Sequence, residues 1–299
     1  MENIVSLCKR RGFIFPGSDI YGGMAGTWDF GPLGVMLKRN LMNTWWSYWV
    51  DGRDDMYGID AAIIMNPKTW EASGHVDTFN DPLVECKECH GRFRADKLVE
   101  GANESISTED FLKANPKCPT CGKQNWSEIK KFNMMFKMNV GPVDDGSSIA
   151  YLRPETAQGI FTNFKNVVDT IYPDLPFGLA QQGKAFRNEI SPRDFILRDR
   201  ECSQMEIEYF VHPDTWEEHF EKINAEYHHF LIDVLGLPAE KIHDYEVPAE
   251  DRAHYSKRTV DLENKLDFMT ITLPSGRKLY YAYPQLGSNQ IVQFPRSIN

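Results

Sequence analysis

Four cysteines place the strongest constraint on how this chain folds. They form two C-x2-C pairs, Cys86 with Cys89 and Cys118 with Cys121, separated by a 28-residue spacer. Two such pairs that converge on one point supply the four thiolates of a tetrahedral zinc ion. Two unrelated turns, or a redox pair in either one, are the alternatives. Because four protein ligands leave no open coordination position, we expect a structural Zn2+ site in an inserted module.

Composition and charge restrict the class of protein. The chain has 299 residues, of which 41 % are apolar and 25 % charged, and its net charge is −10. This charge excludes a broad basic surface for nucleic acid, so any such contact needs a local patch or a partner. No apolar stretch approaches the about 18 residues of a membrane span, and the first residues lack a signal-peptide pattern. We therefore expect a cytoplasmic protein without a membrane span, in which the isolated Cys8 and Cys202 are small buried hydrophobes.

Hydrophobic spacing predicts three long helices. One follows Pro32, and its aromatic end at residues 45–49 is expected in the core or in a subunit interface. Another is expected to begin at Pro154. Asp214 is expected to cap the last one, with Glu217 as its capping-box partner.

Strands are predicted between these helices without a regular βαβ rhythm. The apolar run 59–65 predicts a buried strand, and the alternation over 132–140 predicts a strand with one buried face. This order favours an α+β protein with an antiparallel sheet flanked by helices.

Residues 184–208 combine arginines and carboxylates around a predicted loop. Four arginines are interleaved with four acids: Arg187, Arg193, Arg198, Arg200, Glu189, Asp194, Asp199 and Glu201. Guanidinium groups hold phosphates bidentately and stack on a base, while carboxylates hold an amine or a magnesium ion. The mixture suits a nucleotide together with an amino-bearing substrate. A salt-bridged surface hairpin is the alternative.

A set of short motifs lies in order along the chain. Phe186-Arg187-Asn188-Glu189, a loop, Arg198-Asp199-Arg200-Glu201 and Gln204-Met205-Glu206 are similar to motif 2 of class II aminoacyl-tRNA synthetases. The supporting stretches are Arg11-Gly12-Phe13, Gly31-Pro32-Leu33-Gly34, Trp70-Glu71-Ala72-Ser73-Gly74-His75, Arg92-Phe93-Arg94-Ala95-Asp96, Leu152-Arg153-Pro154-Glu155-Thr156-Ala157-Gln158 and Ala253-His254-Tyr255-Ser256-Lys257. Together they resemble the dimeric glycyl-tRNA synthetases over residues 4–263.

The resemblance implies a fold, a reaction and a set of site residues. The fold is a class II synthetase-like antiparallel sheet flanked by helices, with a dimer-forming motif 1 over residues 31–75. The reaction activates glycine with ATP and Mg2+ and transfers it to tRNA(Gly), in a homodimer. The implied ATP-binding residues are Arg187, which is also catalytic, Asn188, Glu189, Leu197, Arg198, Asp199, Arg200, Glu201 and Cys202. The implied substrate-binding residues are Arg94, Glu155, Cys202, Ser203, Gln204, Met205 and Glu206.

Beyond residue 264 the resemblance ends. Motif 3 of the family, whose arginine holds the ATP γ-phosphate, has no counterpart in residues 268–299, and Pro274-Ser275-Gly276-Arg277 lacks its spacing and context. The family's C-terminal anticodon-binding domain is not found either. We divide the chain into a first catalytic part (1–84), the four-cysteine insertion (85–126), a second catalytic part with motif 2 and a long helix (127–263) and a divergent tail (264–299).

Three functions are compatible with this pattern. The first is a glycine–tRNA ligase whose activity is reduced without motif 3. The second is a synthetase-like protein without ligase activity that binds a nucleotide, an amino acid or tRNA, and the third is a structural module. The presence of Glu155, Arg187, Glu189 and Glu206 together favours the first two, since a scaffold does not need that combination.

Overall fold

The computed structural model of the protein describes residues 2–142, 148–192, 195–250, 252, 256–264, 271–272, 278–279 and 285–292. Its larger unit comprises Asn3–Pro173 and Gly178–Glu208, and its smaller unit comprises Met1–Glu2, Asp174–Phe177 and Tyr209–Asn299. Predictions for Arg193, Asp194, residues 253–255 and the Pro274–Arg277 segment lie outside the described residues. In the described ranges, no helix has both the length and the apolarity that a membrane crossing requires.

The described helices and strands are mixed along the chain without regular alternation. In chain order, the helices are α1 (Glu2–Arg10), α2 (Pro32–Trp46), α3 (Pro67–Ala72), α4 (His75–Thr78), α5 (Thr108–Ala114), α6 (Ala157–Ile171) and α7 (Trp216–His229). The strands are β1 (Ile14–Pro16), β2 (Trp28–Phe30), β3 (Met56–Gly58), β4 (Ile64–Met65), β5 (Asn80–Glu85), β6 (Arg92–Arg94), β7 (Lys130–Asn133), β8 (Lys137–Asn139), β9 (Ile149–Leu152), β10 (Phe177–Phe186), β11 (Glu201–Phe210), β12 (Ile242–Glu246), β13 (Ser256–Asn264), β14 (Ile271–Thr272), β15 (Lys278–Leu279) and β16 (Gln285–Val292).

The strand β10 is the centre of the larger unit. It lies between β11 and β3 in one sheet, and its residues Gly178–Gln181 are buried. Its pairing with β3 is parallel, with Gly178 opposite Met56, whereas β4, β8 and β9 form an antiparallel sheet. The α+β prediction therefore holds with one difference, since the sheet that carries the arginine-rich segment includes a parallel pair. A nearly continuous buried run is what a strand covered on both faces requires.

The helix α2 buries Gly34 near its start and Trp45 near its end, where the chain continues as a short π-helix, Ser47–Asp51. Trp45 and Trp49 are 4 % and 2 % exposed, which confirms the core location of the aromatic end. Met36 and Leu37 in its N-terminal half are 61 % and 62 % exposed. The apolar stripe of this helix therefore continues from the core onto the surface.

A close approach between α2 and the preceding chain makes Gly34 sensitive to substitution. A Cβ atom at Gly34 would lie 1.8 Å from the carbonyl oxygen of Phe13, which is backbone and cannot rotate away. Alanine stabilises most helix interiors relative to glycine, by about 1 kcal/mol. We expect Gly34→Ala instead to lower the free energy of unfolding by about 2–3 kcal/mol, because the helix must shift. Chemical denaturation measures this, with the exposed Asn40→Ala in the same helix as control; equal effects of the two variants would contradict the argument.

Two strand predictions are wrong in detail. The run 59–65 forms a strand only at Ile64–Met65, where Ile64 is 48 % exposed, so it is not a buried strand. The segment 132–140 forms two strands in different sheets, β7 and β8. Met134 and Met135 are both buried, which breaks the alternation because neighbouring residues of a strand face opposite sides.

Helix starts also differ from prediction. The α6 helix begins at Ala157 rather than Pro154, after Thr156 as its N-cap. The α7 helix begins at Trp216 after Thr215, and no side chain caps it, so the predicted capping role of Asp214 is wrong. Asp214 instead lies 3.5 Å from the His212 ring, from its Oδ2 to Nδ1.

The smaller unit joins α7 to an antiparallel sheet. β13 lies between β12 and β16 in that sheet. Val260 and Leu262 on β13 are buried, as is Phe220 on α7. The Arg258 guanidinium carbon lies 4.6 Å from the ring centre of Phe220.

Candidate active site

The arginine-rich segment forms two neighbouring strands joined by a loop. β10 ends at Phe186 and β11 begins at Glu201. The loop closes on itself at its base, where the Arg187 backbone N–H donates to the Arg200 carbonyl at 3.1 Å. This arrangement confirms the predicted strand–loop–strand, and it separates the polar side chains into two groups.

The first group surrounds Glu155, in the turn before α6. Its Oε1 accepts a hydrogen bond from Gln158 Nε2 at 2.7 Å and lies 3.3 Å from His75 Nε2. The other ring nitrogen of His75 is 2.8 Å from Ser73 Oγ. The charge of Arg187, on the adjoining strand end, also acts on this carboxyl. Among the described residues, Gln158 and His75 hold Glu155 through Oε1, which leaves Oε2 for a ligand.

Arg187 is fixed from two sides. Its Nε donates to the Pro154 carbonyl at 3.1 Å, and its guanidinium carbon lies 5.5 Å from the ring centre of Phe79. A cation over an aromatic face is attracted by the ring quadrupole, so Phe79 supports one orientation of the arginine. The next residue, Asn188, donates its backbone N–H to the Met134 carbonyl at 2.7 Å.

Glu206 and Glu208 lie on β11 beside Glu155. Both Oγ1 and the backbone N–H of Thr156 donate to Glu206 Oε2, the latter at 3.1 Å. Burial raises the pKa of Glu206, aided by repulsion from Glu155, and burial raises the pKa of Glu208 further. Burial also acts to raise the pKa of Glu155, but the hydrogen bonds of His75 and Gln158 and the charges of His75 and Arg187 together lower it.

These opposite pKa shifts make neighbouring carboxyl groups lose their protons over different pH ranges. A carboxyl with a lowered pKa stays ionised at neutral pH, while its raised neighbours keep a proton to higher pH. Glu155 therefore keeps its negative charge to a lower pH than Glu206 and Glu208 do. A partly buried carboxylate of this kind suits a substrate ammonium group.

The second group surrounds Glu189, which is 7 % exposed. Its Oε2 accepts from Arg198 Nε at 2.7 Å and lies 2.6 Å from Arg198 Nη2. Arg94, on β6, pairs with Asp81 at 2.8 Å and donates two hydrogen bonds to Asp96. The loop between β10 and β11, residues 187–200, is called the arginine loop. Asp81 connects Arg94 to this loop, because it also lies 3.6 Å from Arg198 Nη2.

Arg200 attaches the loop to the turn before β2. Its backbone N–H donates to Gly26 O at 2.8 Å, and its Nη1 donates to Ala25 O at 2.6 Å. Gly26 has φ +71°, and a Cβ there would lie 2.4 Å from Pro192, so this position requires glycine. Arg200 Nη2 also donates to the Glu189 carbonyl at 3.0 Å. Arg200 and Ala25 are 175 residues apart, so no local sequence signal predicts this contact.

The other predicted site residues lie at the loop and along β11. Leu197 is 53 % exposed. Glu201 pairs with Lys184 at 2.8 Å, and Ser203 accepts a hydrogen bond from Lys38 at 2.5 Å. Cys202 donates its thiol to the Ala185 carbonyl at 3.7 Å, and burial raises its pKa.

Gln204 and Met205 complete this part of β11. Gln204 Oε1 is buried and has no hydrogen-bond partner among the described residues. Met205 is half-buried. An unpaired amide oxygen of this kind is available to a substrate donor.

Asp199 gives the loop a pH-dependent stability. Burial raises the pKa of Asp199 from 3.8 to about 6, against the attraction of Lys184. Between these values the native state keeps a proton that the unfolded chain has lost, so the native state loses stability as pH rises through this window. We expect Asp199→Asn to stabilise the protein by about 1 kcal/mol above pH 7, after allowance for solvent screening, and to have little effect near pH 4. Urea denaturation at both pH values checks this; the same stabilisation at both would contradict it.

The four paired cysteines converge as predicted. Their Sγ atoms all lie within 4.8 Å of one another, with Cys86 to Cys121 and Cys89 to Cys118 at 3.6 Å each. A zinc ion with bonds of about 2.3 Å to sulfur needs tetrahedral edges of about 3.8 Å. The donor set therefore fits Zn2+.

The cysteine cluster has its own small core. Val84, Ala95, Phe111 and Trp126 are buried around Cys86 and Cys118. The Trp126 indole is edge-on to Phe93 and Phe111, and its Nε1 donates to the Pro116 carbonyl at 2.8 Å. These few side chains and the sulfur cluster stabilise the same short segment.

Comparison with solved structures gives the fold of the chain. Prolyl-tRNA synthetase from Cryptosporidium parvum, in complex with halofuginone and AMPPNP, superposes with a TM-score of 0.55 over 86 % of this chain and 39 % of that one, at 13 % identity. The same enzyme with L-proline and AMP gives 0.54 over 86 % and 38 %, at 12 % identity. The fold is that of a class II aminoacyl-tRNA synthetase core.

Sequence comparison then gives the family. The family model of the tRNA synthetase class II core domain (G, H, P, S and T) matches residues 136–293, more than half of the chain. The chain belongs to this family. The match continues past residue 264, into the segment that the motifs alone set apart as a divergent tail.

Curated relatives confirm the resemblance to glycyl-tRNA synthetases. The glycine–tRNA ligase of Ureaplasma urealyticum serovar 10 is 48 % identical over 272 residues, 88 % of this chain and 58 % of the relative. That of Cutibacterium acnes is 50 % identical over 279 residues, 90 % of this chain and 57 % of the relative. The chain thus spans less than two thirds of the length of these relatives.

Proposed function

We propose that the chain carries the catalytic core of a glycine–tRNA ligase. The observation that carries the proposal is that Arg187 lies together with Glu155 and Glu206 at one end of β10 and β11, where its charge acts on both carboxyl groups. The names of the curated relatives point to the same activity. In the proposed reaction, a glycine carboxylate oxygen bonds to the α-phosphorus of ATP and pyrophosphate leaves. A hydroxyl of the terminal adenosine of tRNA(Gly) then takes the glycyl group and AMP leaves.

The proposed ATP-binding residues lie on the strand ends and the loop. Arg187 is the catalytic residue and stabilises charge that develops at the α-phosphate, with its orientation fixed by Pro154 and Phe79. Glu189 accepts from the adenine amine. Asn188 and residues 197–202 hold the rest of the nucleotide. Mg2+ accompanies ATP and neutralises charge on its phosphates.

The proposed glycine site is the group around Glu155. Its Oε2 accepts from the ammonium of glycine, since Oε1 is engaged by Gln158 and His75. Glu206 and the other β11 residues 202–205 line the pocket. Arg94, which pairs with Asp81 in the second group, is the substrate-binding residue on the ATP side. Glycine has no side chain to grasp, so selectivity depends on holding its ammonium and excluding larger amino acids.

Further parts of the proposal concern the whole molecule. The four-cysteine cluster binds structural Zn2+, and the exposed half of α2 contributes to a homodimer. The protein acts in the cytoplasm. Its catalytic parts are residues 1–84 and 127–263. Residues 85–126 form the insertion, and residues 264–299 form the tail. A large exposed apolar helix face is typical of a subunit interface.

Glycine-dependent ATP–pyrophosphate exchange tests the proposal. We expect the purified chain to exchange label with glycine and ATP, and to show no exchange with alanine or without an amino acid. One additional methyl group in a closed pocket costs about 10- to 200-fold. A parallel calorimetric titration with ATP separates the outcomes. ATP binding without exchange would favour a nucleotide-binding protein without ligase activity, and the absence of both would reject the proposal.

A further inference from the structure

Asp81 is a buried carboxylate between two arginines. It lies on β5 and is 2 % exposed. Its Oδ1 pairs with Arg94 Nη1 at 2.8 Å, while its Oδ2 lies 3.6 Å from Arg198 Nη2. Neither the motifs nor the proposed reaction assigns this residue a role.

The second oxygen of Asp81 has no hydrogen bond among the described residues. A buried carboxylate oxygen without a donor is costly, and burial accordingly raises the pKa of Asp81 despite the charges of Arg94 and Arg198. Glu189 and Glu104 face the same cluster and add repulsion. This oxygen lies 3.6 Å from Arg198 Nη2, so electrostatics draws the Arg198 side chain toward β5.

Arg198 is therefore held from both sides. Its Nε and Nη2 contact Glu189 on the loop, and Nη2 also faces Asp81 on β5. This arrangement engages one edge of the guanidinium. Its remaining nitrogen, Nη1, is directed away from the two carboxylates by the planar geometry of the group.

The chain position of Asp81 connects this contact to the cysteine module. β5 leads directly to Cys86, and Leu83 on β5 pairs with Arg94 on β6. Arg94 also donates to Asp96 and Glu104 within the module. Asp81 thus stands where the module meets the arginine loop.

We propose that Asp81 is a positioning residue that holds Arg198 in the orientation in which it binds the phosphates of ATP. The proposal rests on the proposed function. A side chain that must bind in one geometry is held there by surrounding polar partners, and loss of one partner weakens binding of the ligand concerned. Asp81 therefore acts on ATP rather than on glycine, whose ammonium site is the separate group around Glu155.

The test compares two substitutions that each remove one carboxylate from Arg94. Asp81→Asn removes the partner of both Arg94 and Arg198, whereas Asp96→Asn removes a partner of Arg94 and Lys97. The binding of ATP and of glycine is measured by calorimetry on the whole chain, with circular dichroism as a check of folding. We expect roughly tenfold weaker ATP binding for Asp81→Asn, with glycine affinity unchanged, and less than twofold change for Asp96→Asn.

A second arm places both variants in an Arg198→Ala background. If Asp81 acts through Arg198, Asp81→Asn causes no further loss of ATP affinity there. Equal effects of the two single variants, an unchanged affinity, or a full additional loss without Arg198 would overturn the proposal. Should Asp81→Asn fail to fold, Asp81→Glu keeps the charge, displaces the carboxylate and is judged by the same cycle. Failure of the wild-type chain itself to bind ATP would instead reject the proposed function.

Discussion

Replacement of Glu155 by glutamine is expected to raise the KM for glycine about 100-fold in ATP–pyrophosphate exchange and to leave the KM for ATP nearly unchanged. The amide keeps the size of the side chain and still accepts from Gln158 through its oxygen. It removes the negative charge that meets the ammonium of glycine, and truncation of one partner of a buried charged pair costs about 2–5 kcal/mol. The variant therefore binds glycine more weakly and keeps its affinity for ATP.

Glu71→Gln is the matched control. Glu71 is an exposed carboxylate on α3, close in sequence to His75, and its replacement changes the net charge by the same amount. We expect it to leave both KM values unchanged. A Glu155→Gln variant with normal glycine KM would show that the ammonium binds elsewhere, and an equal rise in both KM values would indicate a general loss of structure.

The pH dependence of the same assay separates the two glutamates. The pKa of Glu155 is lowered, so the charge that binds glycine is present at neutral pH and is lost only as pH falls below the usual carboxylate range. The pKa of Glu206 is raised, mainly by burial. If Glu206 carried the charge that binds glycine, affinity would already fall at a higher pH, so the midpoint of the profile identifies the binding residue.

The elements that sequence predicts well are those whose signal is local. The two cysteine pairs, the helix after Pro32 and the strand–loop–strand around Arg187 are each contained within about fifty residues or carry fixed spacing. Residue type and spacing suffice for such features because the chemistry that selects them, tetrahedral sulfur ligation or helical periodicity, acts over the same short distance.

The contacts that sequence does not predict connect distant positions. His75 lies 80 residues before its partner Glu155, and Asp81 lies 117 residues before Arg198, so neither pairing has a local signal. His75 does stand in a motif that supports the family resemblance, which marks it as a candidate without giving its partner. The error over 59–65 has a related cause, since an apolar run predicts burial only when another element covers it.

Removal of zinc is expected to unfold the cysteine module and leave the rest of the larger unit folded. The module core consists of few buried side chains, and the free energy of zinc binding in small thiolate sites is about 10–16 kcal/mol near pH 7. We expect about one zinc ion per chain by elemental analysis. Cys118→Ser should abolish it and expose residues 85–126 to amide hydrogen exchange and proteolysis.

Cys8→Ser provides the control, because Cys8 is a free cysteine outside the cluster. It should retain zinc and the exchange protection of the wild-type chain. A chain without zinc in which residues 85–126 remain protected would contradict the structural role, because the small core around Trp126 would then suffice alone. Loss of zinc in both variants would show that cysteine substitution disturbs the fold in general.

Acidification should have the same local effect as Cys118→Ser. Zinc binding requires thiolates, so protons compete with the metal and affinity falls as pH is lowered. Because β5 and β6 carry Asp81 and Arg94 at the boundary of the module, its unfolding should also loosen the arginine loop. We therefore expect the zinc-free chain to bind ATP more weakly while its glycine site, built on α6, β11 and His75, is retained. Equal loss of both ligands on chelation would instead mean that the module supports the whole larger unit.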